Sequence, residues 1–285
     1  MKNLSACVLL TAWLVSGCAT SPTTAFDPKA PKPIQASKII LVGDSTTAVQ
    51  GGWGGSFCAE HVTSSAACVN LARGGRSSGS YIAEGSWDLA LAEARAPGYV
   101  NKWILIQFGH NDQPGKPGRS TDLATEFPAN LRRYVNEVRA AGAKPVLVTP
   151  LTRRMFKNGV LLDDLGPWAE TTRRVAAEMD VPLVDLHALS SAAIQAMGPT
   201  AANEMAPRPP SAPVAAAASA GTSIPGSTGV TATEVNDPPP VAGMSQPKLS
   251  FDYTHLGGHG ADYFATMVTA ALALTVPDLR PLLIP

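Results

Sequence analysis

The sequence predicts an α/β protein built on a parallel sheet with helices on both faces. Three observations carry that expectation. Short apolar runs alternate with longer mixed segments along most of the chain, the rhythm of βα units. Several runs end in Gly, Asp, Ser, Asn or His, and the carboxyl ends of parallel strands are where a ligand crevice forms. The 285 residues are 45% hydrophobic, enough for one large core. Lys plus Arg (22) balances Asp plus Glu (22), so no global field favours nucleic acid. No zinc-ligand or basic-helix pattern is present, and no nucleic-acid partner is expected.

Residues 1–17 read as an export signal. Lys2 supplies a positive start, Ala6 to Val15 is apolar but too short to span a bilayer, and small residues follow. Leu14-Val15-Ser16-Gly17-Cys18 resembles a bacterial lipobox, which would make Cys18 the lipidated first residue and attach the protein to a membrane. The expected location is the cell envelope, periplasm-facing or on the surface; plain secretion is the alternative. Residues 19–37, rich in Pro, Ser, Thr and Ala, read as a flexible tether. Residues 38–285 read as one domain.

Within it, Lys38 to Val42 reads as a buried strand broken by Gly43, with Ser45 where strand hands over to helix. Gly51-Gly52-Trp53-Gly54-Gly55 reads as a flexible turn carrying an exposed aromatic. Ala67 to Leu71 is a short strand that runs into Arg73-Gly74-Gly75-Arg76-Ser77-Ser78. A helix over Tyr81 to Ala94 precedes the strongest strand, Trp103 to Phe108, which leads into Gly109-His110-Asn111-Asp112. The rhythm continues with a helix over 127–140, a strand over 145–149, a helix over 167–179 and a strand over 181–186. Residues 200–246, dominated by Ala, Pro, Ser, Thr and Gly, read as a disordered insertion, too poor in bulky apolar residues to offset ordering entropy. A loop with Asp252 and His255 and a helix over 261–274 close the domain. Of the four cysteines, Cys7 leaves with the signal and Cys18 is the lipid site; Cys58 and Cys68 remain, to form a disulfide or stay as buried thiols.

A serine at a strand end suits nucleophilic chemistry if a histidine can take its proton and a carboxylate can orient that histidine. As a helix cap, Ser45 would need neither. Among five histidines, His61 reads as a solvated surface residue, His110 as a crevice residue, and His259 as a loop residue. Asp252/His255 and Asp185/His187 are the two pairs whose spacing brings a carboxylate to an imidazole. Gly-x-Ser-x-Gly, the elbow of lipases, is matched only on its first side by Gly43-Asp44-Ser45-Thr46-Thr47, which argues against that fold.

Four blocks stand in order: Gly43-Asp44-Ser45-Thr46-Thr47-Ala48 with Gly52-Trp53-Gly54, then Gly74-Gly75-Arg76-Ser77-Ser78, Gln107-Phe108-Gly109-His110-Asn111-Asp112, and Asp252-Tyr253-Thr254-His255-Leu256. Together they resemble the SGNH (GDSL-like) hydrolases, most closely the rhamnogalacturonan acetylesterases of carbohydrate esterase family twelve. The resemblance implies a three-layer α/β/α sandwich with a flavodoxin-like, five-stranded parallel sheet in the order 2-1-3-4-5. It implies Ser45 as nucleophile, His255 as general base and acid, and Asp252 as its orienting carboxylate. The oxyanion hole would be the Ser45 N–H, the Gly75 N–H and the Asn111 side chain. Acetylated polysaccharide is the implied substrate, with no metal or organic cofactor. Asp44 and Asp112 are expected to fix loops, Gln107 and His110 to support the crevice, with His110 also a candidate substrate contact, and Trp53 either to stack on a sugar ring or to pack against its own loop. Two other readings stand beside it: an esterase for another acetylated glycan or small ester, and a glycan-binding lipoprotein without turnover.

Overall fold

A computed structural model describes residues 35–225 and 250–285; the expected signal, Cys18, most of the tether and the later part of the insertion lie outside them. Five parallel strands form the central sheet: β1 (Ser37–Gly43), β2 (Ala66–Asn70), β3 (Asn101–Gln107), β4 (Lys144–Val148) and β7 (Leu183–Val184). Their order is β2-β1-β3-β4-β7, the expected 2-1-3-4-5 once a separate hairpin, β5 (Phe156–Lys157) and β6 (Val160–Leu161), is set aside.

Side chains alternate across this sheet, and each face has its own core. Ile39, Leu41, Trp103, Leu105, Val146 and Val148 pack towards α1 (Gly54–Glu60), α6 (Leu186–Ala202) and α8 (Gly258–Thr275) through Phe57, Ile194, Phe264 and Val268. Ile40, Val42, Ile104, Ile106 and Leu147 pack towards α2 (Ser78–Ala83), α3 (Ser86–Arg95), α4 (Glu126–Ala140) and α5 (Gly166–Glu178) through Tyr81, Trp87, Tyr134 and Val175. β1 lies between two neighbours and under helices on both sides, so Ile39 to Val42 are all fully buried, each worth roughly 2 kcal/mol of apolar transfer. The helices place the sheet as the middle of three layers.

Several elements differ from the sequence reading. The single helix over 81–94 is two helices, because Gly85 takes a left-handed φ of 82° between them. The last sheet strand is only Leu183–Val184: Pro182 has no N–H to give, and Asp185 turns the chain into α6 as its N-cap, accepting from the Ala188 N–H. His61 is buried, with Nδ1 3.0 Å from the Ile284 carbonyl, a partner far along the chain. The Cys58 and Cys68 sulfurs are joined as a disulfide between α1 and β2.

The insertion read as disordered over 200–246 is folded over its first half. After a break at Gly198 (φ 74°), a second helical piece of α6 ends at Ala202, a 3₁₀ turn covers Asn203–Met205, and α7 (Ala212–Ser219) follows. Alanine needs no bulk to form a helix, having the best intrinsic propensity, and Val214 and Ala218 supply one buried stripe. Beyond α7, Ser223 N–H donates to the Phe156 carbonyl at 2.9 Å and Gly159 N–H to the Gly221 carbonyl at 2.7 Å, so the segment pairs with the β5–β6 hairpin.

Candidate active site

Ser45 stands just past β1 on a turn, not at a helix start; α1 begins only at Gly54. The turn closes through Thr47 and Ala48 N–H donating to the Asp44 carbonyl at 3.2 and 3.1 Å. Ser45 is half-buried between two buried residues, Asp44 and Thr46, so it stays partly reachable while its neighbours are locked. The lock is a chain of hydrogen bonds. Asp44 Oδ1 accepts from Thr46 N–H and Thr46 Oγ1, each at 2.8 Å. Gln107 Nε2 donates to Thr46 Oγ1 at 2.6 Å, and Trp53 Nε1 donates to Gln107 Oε1 at 2.9 Å. Asp44 and Gln107 therefore act as loop supports, as the sequence suggested.

Trp53 does not meet substrate. It is 0% exposed, sits edge-on to Phe57 at 5.7 Å, and ends the chain of bonds under Ser45. The glycines around it serve close packing: a Cβ on Gly54 would stand 2.2 Å from the Thr47 carbonyl oxygen, and one on Gly52 2.5 Å from the Thr46 backbone. His110 is corrected in the same way. It is buried, with Nδ1 3.5 Å from Asp44 Oδ2, and burial pushes its imidazole towards the neutral form against the pull of Asp44.

The second block comes off β2. Arg73 N–H donates to the Gly43 carbonyl at 2.9 Å, which carries Gly74 against Ser45: a Cβ on Gly74 would lie 3.6 Å from the serine Cβ. Gly75 follows with φ +76°, a conformation that suits glycine. The third block leaves β3 and presents Asn111, whose Nδ2 spends one hydrogen on the Arg76 carbonyl at 3.0 Å. Asp112 staples this block to the second, accepting from Ser78 Oγ at 2.6 Å, Ser78 N–H at 3.0 Å and Thr121 Oγ1 at 2.9 Å. Burial raises the Asp112 carboxyl to about 6 despite these donors. Among the described residues the Ser45 and Gly75 N–H groups make no hydrogen bond. The Ser45 and Gly75 N–H groups and one hydrogen of the Asn111 amide are thus left uncommitted.

The fourth block supplies the imidazole. Asp252 Oδ2 lies 2.7 Å from His255 Nδ1, while Asp252 Oδ1 accepts Thr254 and His255 N–H at 2.7 and 2.6 Å. Burial would raise the Asp252 carboxyl, but the His255 bond and charge and the two N–H donors together hold it down at about 2. The rival pair is not formed. Asp185 is engaged by Arg173 at 2.8 and 3.0 Å and by Thr149 Oγ1 at 3.0 Å, and His187 Nε2 lies 3.0 Å from Asp163 instead.

No hydrogen bond joins the Ser45 hydroxyl to the His255 ring among the described residues. Their loops are pinned by backbone: Leu256 N–H donates to the Gly51 carbonyl at 2.8 Å, and Trp53 N–H to the Thr46 carbonyl at 3.0 Å. Such serine–imidazole contacts commonly tighten only when substrate arrives. The described part of the insertion braces the same loop, through Gly257 N–H on the Met205 carbonyl at 2.8 Å and Tyr253 Oη on the Ile224 carbonyl at 2.7 Å. Sequence reasoning missed that brace, and it missed Arg154. The one available signal was position: Leu151-Thr152-Arg153-Arg154 follows β4 at the crevice edge of the sheet. Among the described residues no group of three or more His, Cys, Asp or Glu side chains is placed to hold a metal ion.

Known proteins resemble this chain over part of its length. Residues 41–208 match the model of the GDSL-like lipase/acylhydrolase family, a span that includes Ser45, Gly75 and Asn111 but stops before Asp252 and His255. A probable rhamnogalacturonan acetylesterase, YesY of Bacillus subtilis strain 168, is 37% identical over 158 residues, covering 53% of this chain and 70% of that one. The rhamnogalacturonan acetylesterase RhgT of the same organism is 38% identical over 176 residues, covering 59% of this chain and 71% of that one. The crystal structure of the Bacillus subtilis protein YXIM shares the fold, with a TM-score of 0.60 and 21% identity over 85% of this chain; the match spans 58% of that chain.

Proposed function

The chain belongs to the GDSL-like lipase/acylhydrolase family, and from that premise we propose a serine esterase that removes acetyl groups from polysaccharide, with rhamnogalacturonan the leading substrate. The observation that carries the reading is the Asp252–His255 pair, held at 2.7 Å on a turn pinned to the loop beyond Ser45. With Nδ1 engaged by the carboxylate, His255 Nε2 takes the Ser45 proton as Oγ attacks the acetyl carbonyl. The carbonyl oxygen becomes an oxyanion facing the Ser45 and Gly75 N–H groups and the second hydrogen of the Asn111 amide; each such donor is typically worth ~3 kcal/mol of barrier. The tetrahedral intermediate collapses, His255 protonates the departing sugar oxygen, and an acetyl-Ser45 ester remains. Water, deprotonated by His255, attacks that ester and releases acetate.

The substrate proposal rests on the relatives' names. We further propose export by residues 1–17, lipid attachment at Cys18 and a tether over 19–37, which would set the enzyme at the cell envelope.

The test is acetate release from acetylated rhamnogalacturonan, acetylated xylan and p-nitrophenyl acetate by wild type and Ser45→Ala. Release that favours rhamnogalacturonan and is lost in the variant is expected. Serine-dependent release from the other esters alone would reject the polymer but keep the esterase. A folded protein that binds glycan and releases no acetate would reject turnover.

A further inference from the structure

Among the described residues Arg154 is the largest buried charged side chain, at 1% exposed, and the chemistry above leaves it without a role. Among the described residues its hydrogen bonds all go to the turn that bears the imidazole. Its backbone N–H donates to the Tyr253 carbonyl at 2.9 Å. Its guanidinium Nη2 donates to the Asp252 carbonyl at 2.9 Å and the His255 carbonyl at 2.8 Å, and Nη1 donates to the Thr254 carbonyl at 3.3 Å. The turn is therefore gripped from both sides: its N–H groups close on the Asp252 carboxylate, and its carbonyls close on Arg154. Burying a guanidinium is costly; here Nη1 and Nη2 are engaged by the turn, while Nε has no hydrogen-bond partner among the described residues. Burial lowers its pKa to about 10, partly offset by the Asp252 charge, so it stays a cation at neutral pH.

A planar fork suits this task in a way that an ammonium does not. It reaches successive carbonyls in one plane and fixes their relative orientation, whereas a lysine presents a single point charge. We propose that Arg154 is a positioning residue for His255: by holding the carbonyls of residues 252–255 it sets where the imidazole stands relative to Ser45. The proposal rests on the acyl-transfer reading of Ser45, Asp252 and His255. Arg153 beside it does a different job, reaching outward to Gln113 Oε1 at 2.9 Å, to Asp164 and to Thr254 Oγ1 at 3.2 Å.

The test compares wild type, Arg154→Met, Arg154→Lys and Ser45→Ala with p-nitrophenyl acetate, counted per folded molecule, and records the downfield Nδ1–H proton resonance of the His255–Asp252 pair. A displaced imidazole costs on the order of 10²-fold in rate, so kcat in Arg154→Met should fall by about that factor. KM should hold, because Arg154 touches no substrate, and the downfield resonance should shift or broaden. Arg154→Lys, which keeps the charge and loses the fork, should recover part of kcat. If Arg154→Met does not fold, Arg154→Lys carries the test with an expected loss of about tenfold. Wild-type kcat and an unmoved resonance in either folded variant would overturn the proposal. A fully active Ser45→Ala would overturn the site itself and this proposal with it; an inactive one beside a fully active Arg154 variant overturns this proposal alone.

Discussion

Asp252→Asn is nearly isosteric, yet the hydrogen-bond pattern around Asp252 makes it a severe change. Oδ1 accepts two backbone N–H groups, from Thr254 at 2.7 Å and His255 at 2.6 Å, so the asparagine oxygen must occupy that position. Turning the amide over would aim its NH₂ at both donors and leave them unsatisfied, at ~1–3 kcal/mol each. The asparagine nitrogen is thereby forced into the place of Oδ2, 2.7 Å from His255 Nδ1. There it donates, and Nδ1 must become the acceptor. The ring proton moves to Nε2, which can no longer take one from Ser45. The same tautomer fault in serine hydrolases lowers kcat by about 10⁴-fold, equivalent to ~5.5 kcal/mol of barrier. Hydrolysis of p-nitrophenyl acetate measures kcat, and a thermal melt establishes that the variant is folded. A folded Asp252→Asn enzyme within about tenfold of wild type would refute the assignment of Asp252 as the orienting carboxylate.

Three further outcomes are expected. Replacing Cys58 and Cys68 by serine opens a short cross-link with a sequence separation of 10 residues, which should cost ~3 kcal/mol and lower Tm by roughly 6–12 °C; an unchanged melt would show that the link contributes nothing. Trp53→Phe leaves Gln107 Oε1 without its buried donor and should cost ~1–3 kcal/mol of stability with KM for glycan unchanged; a raised KM at wild-type stability would return Trp53 to the substrate site. The Asp252 carboxyl is held at about 2, below its unfolded value near 4, so its contribution is complete above pH ~4 and lost as pH falls towards 2. Stability of wild type should therefore fall more steeply than that of Asp252→Asn across this window, by ~1–2 kcal/mol after allowance for partial exposure; parallel curves from chemical denaturation would contradict it.

Much of the architecture was legible because burial on both faces leaves a mark in sequence. The runs in β1, β3 and β4 are apolar at successive positions, as strands sandwiched between helices must be, and each ends in a polar block at the crevice. Asp252 and His255 were readable for a local reason: one short turn holds both. What escaped the sequence depends on distant partners. The Gly-rich stretch around Trp53 looks flexible, but Gly52 and Gly54 are small because the Thr46–Thr47 backbone lies against them. His61 looks like a surface residue until the Ile284 carbonyl arrives. The alanine-rich stretch lacks bulk, and its order comes from helix propensity and from bonds to Phe156, Gly159 and Tyr253 elsewhere in the chain. Arg154 is the sharpest case, since only the fold brings it the Asp252–His255 turn.

The central claim is that Ser45 becomes acylated, and the most direct measurement is to trap that ester. The enzyme is mixed with p-nitrophenyl acetate, quenched in acid during the first turnover, and its peptides are mapped by mass. One acetyl group per chain on the Ser45 peptide, absent in Ser45→Ala and in His255→Ala, is the predicted result. An acetyl group on another residue, or turnover that persists in Ser45→Ala, would contradict the account.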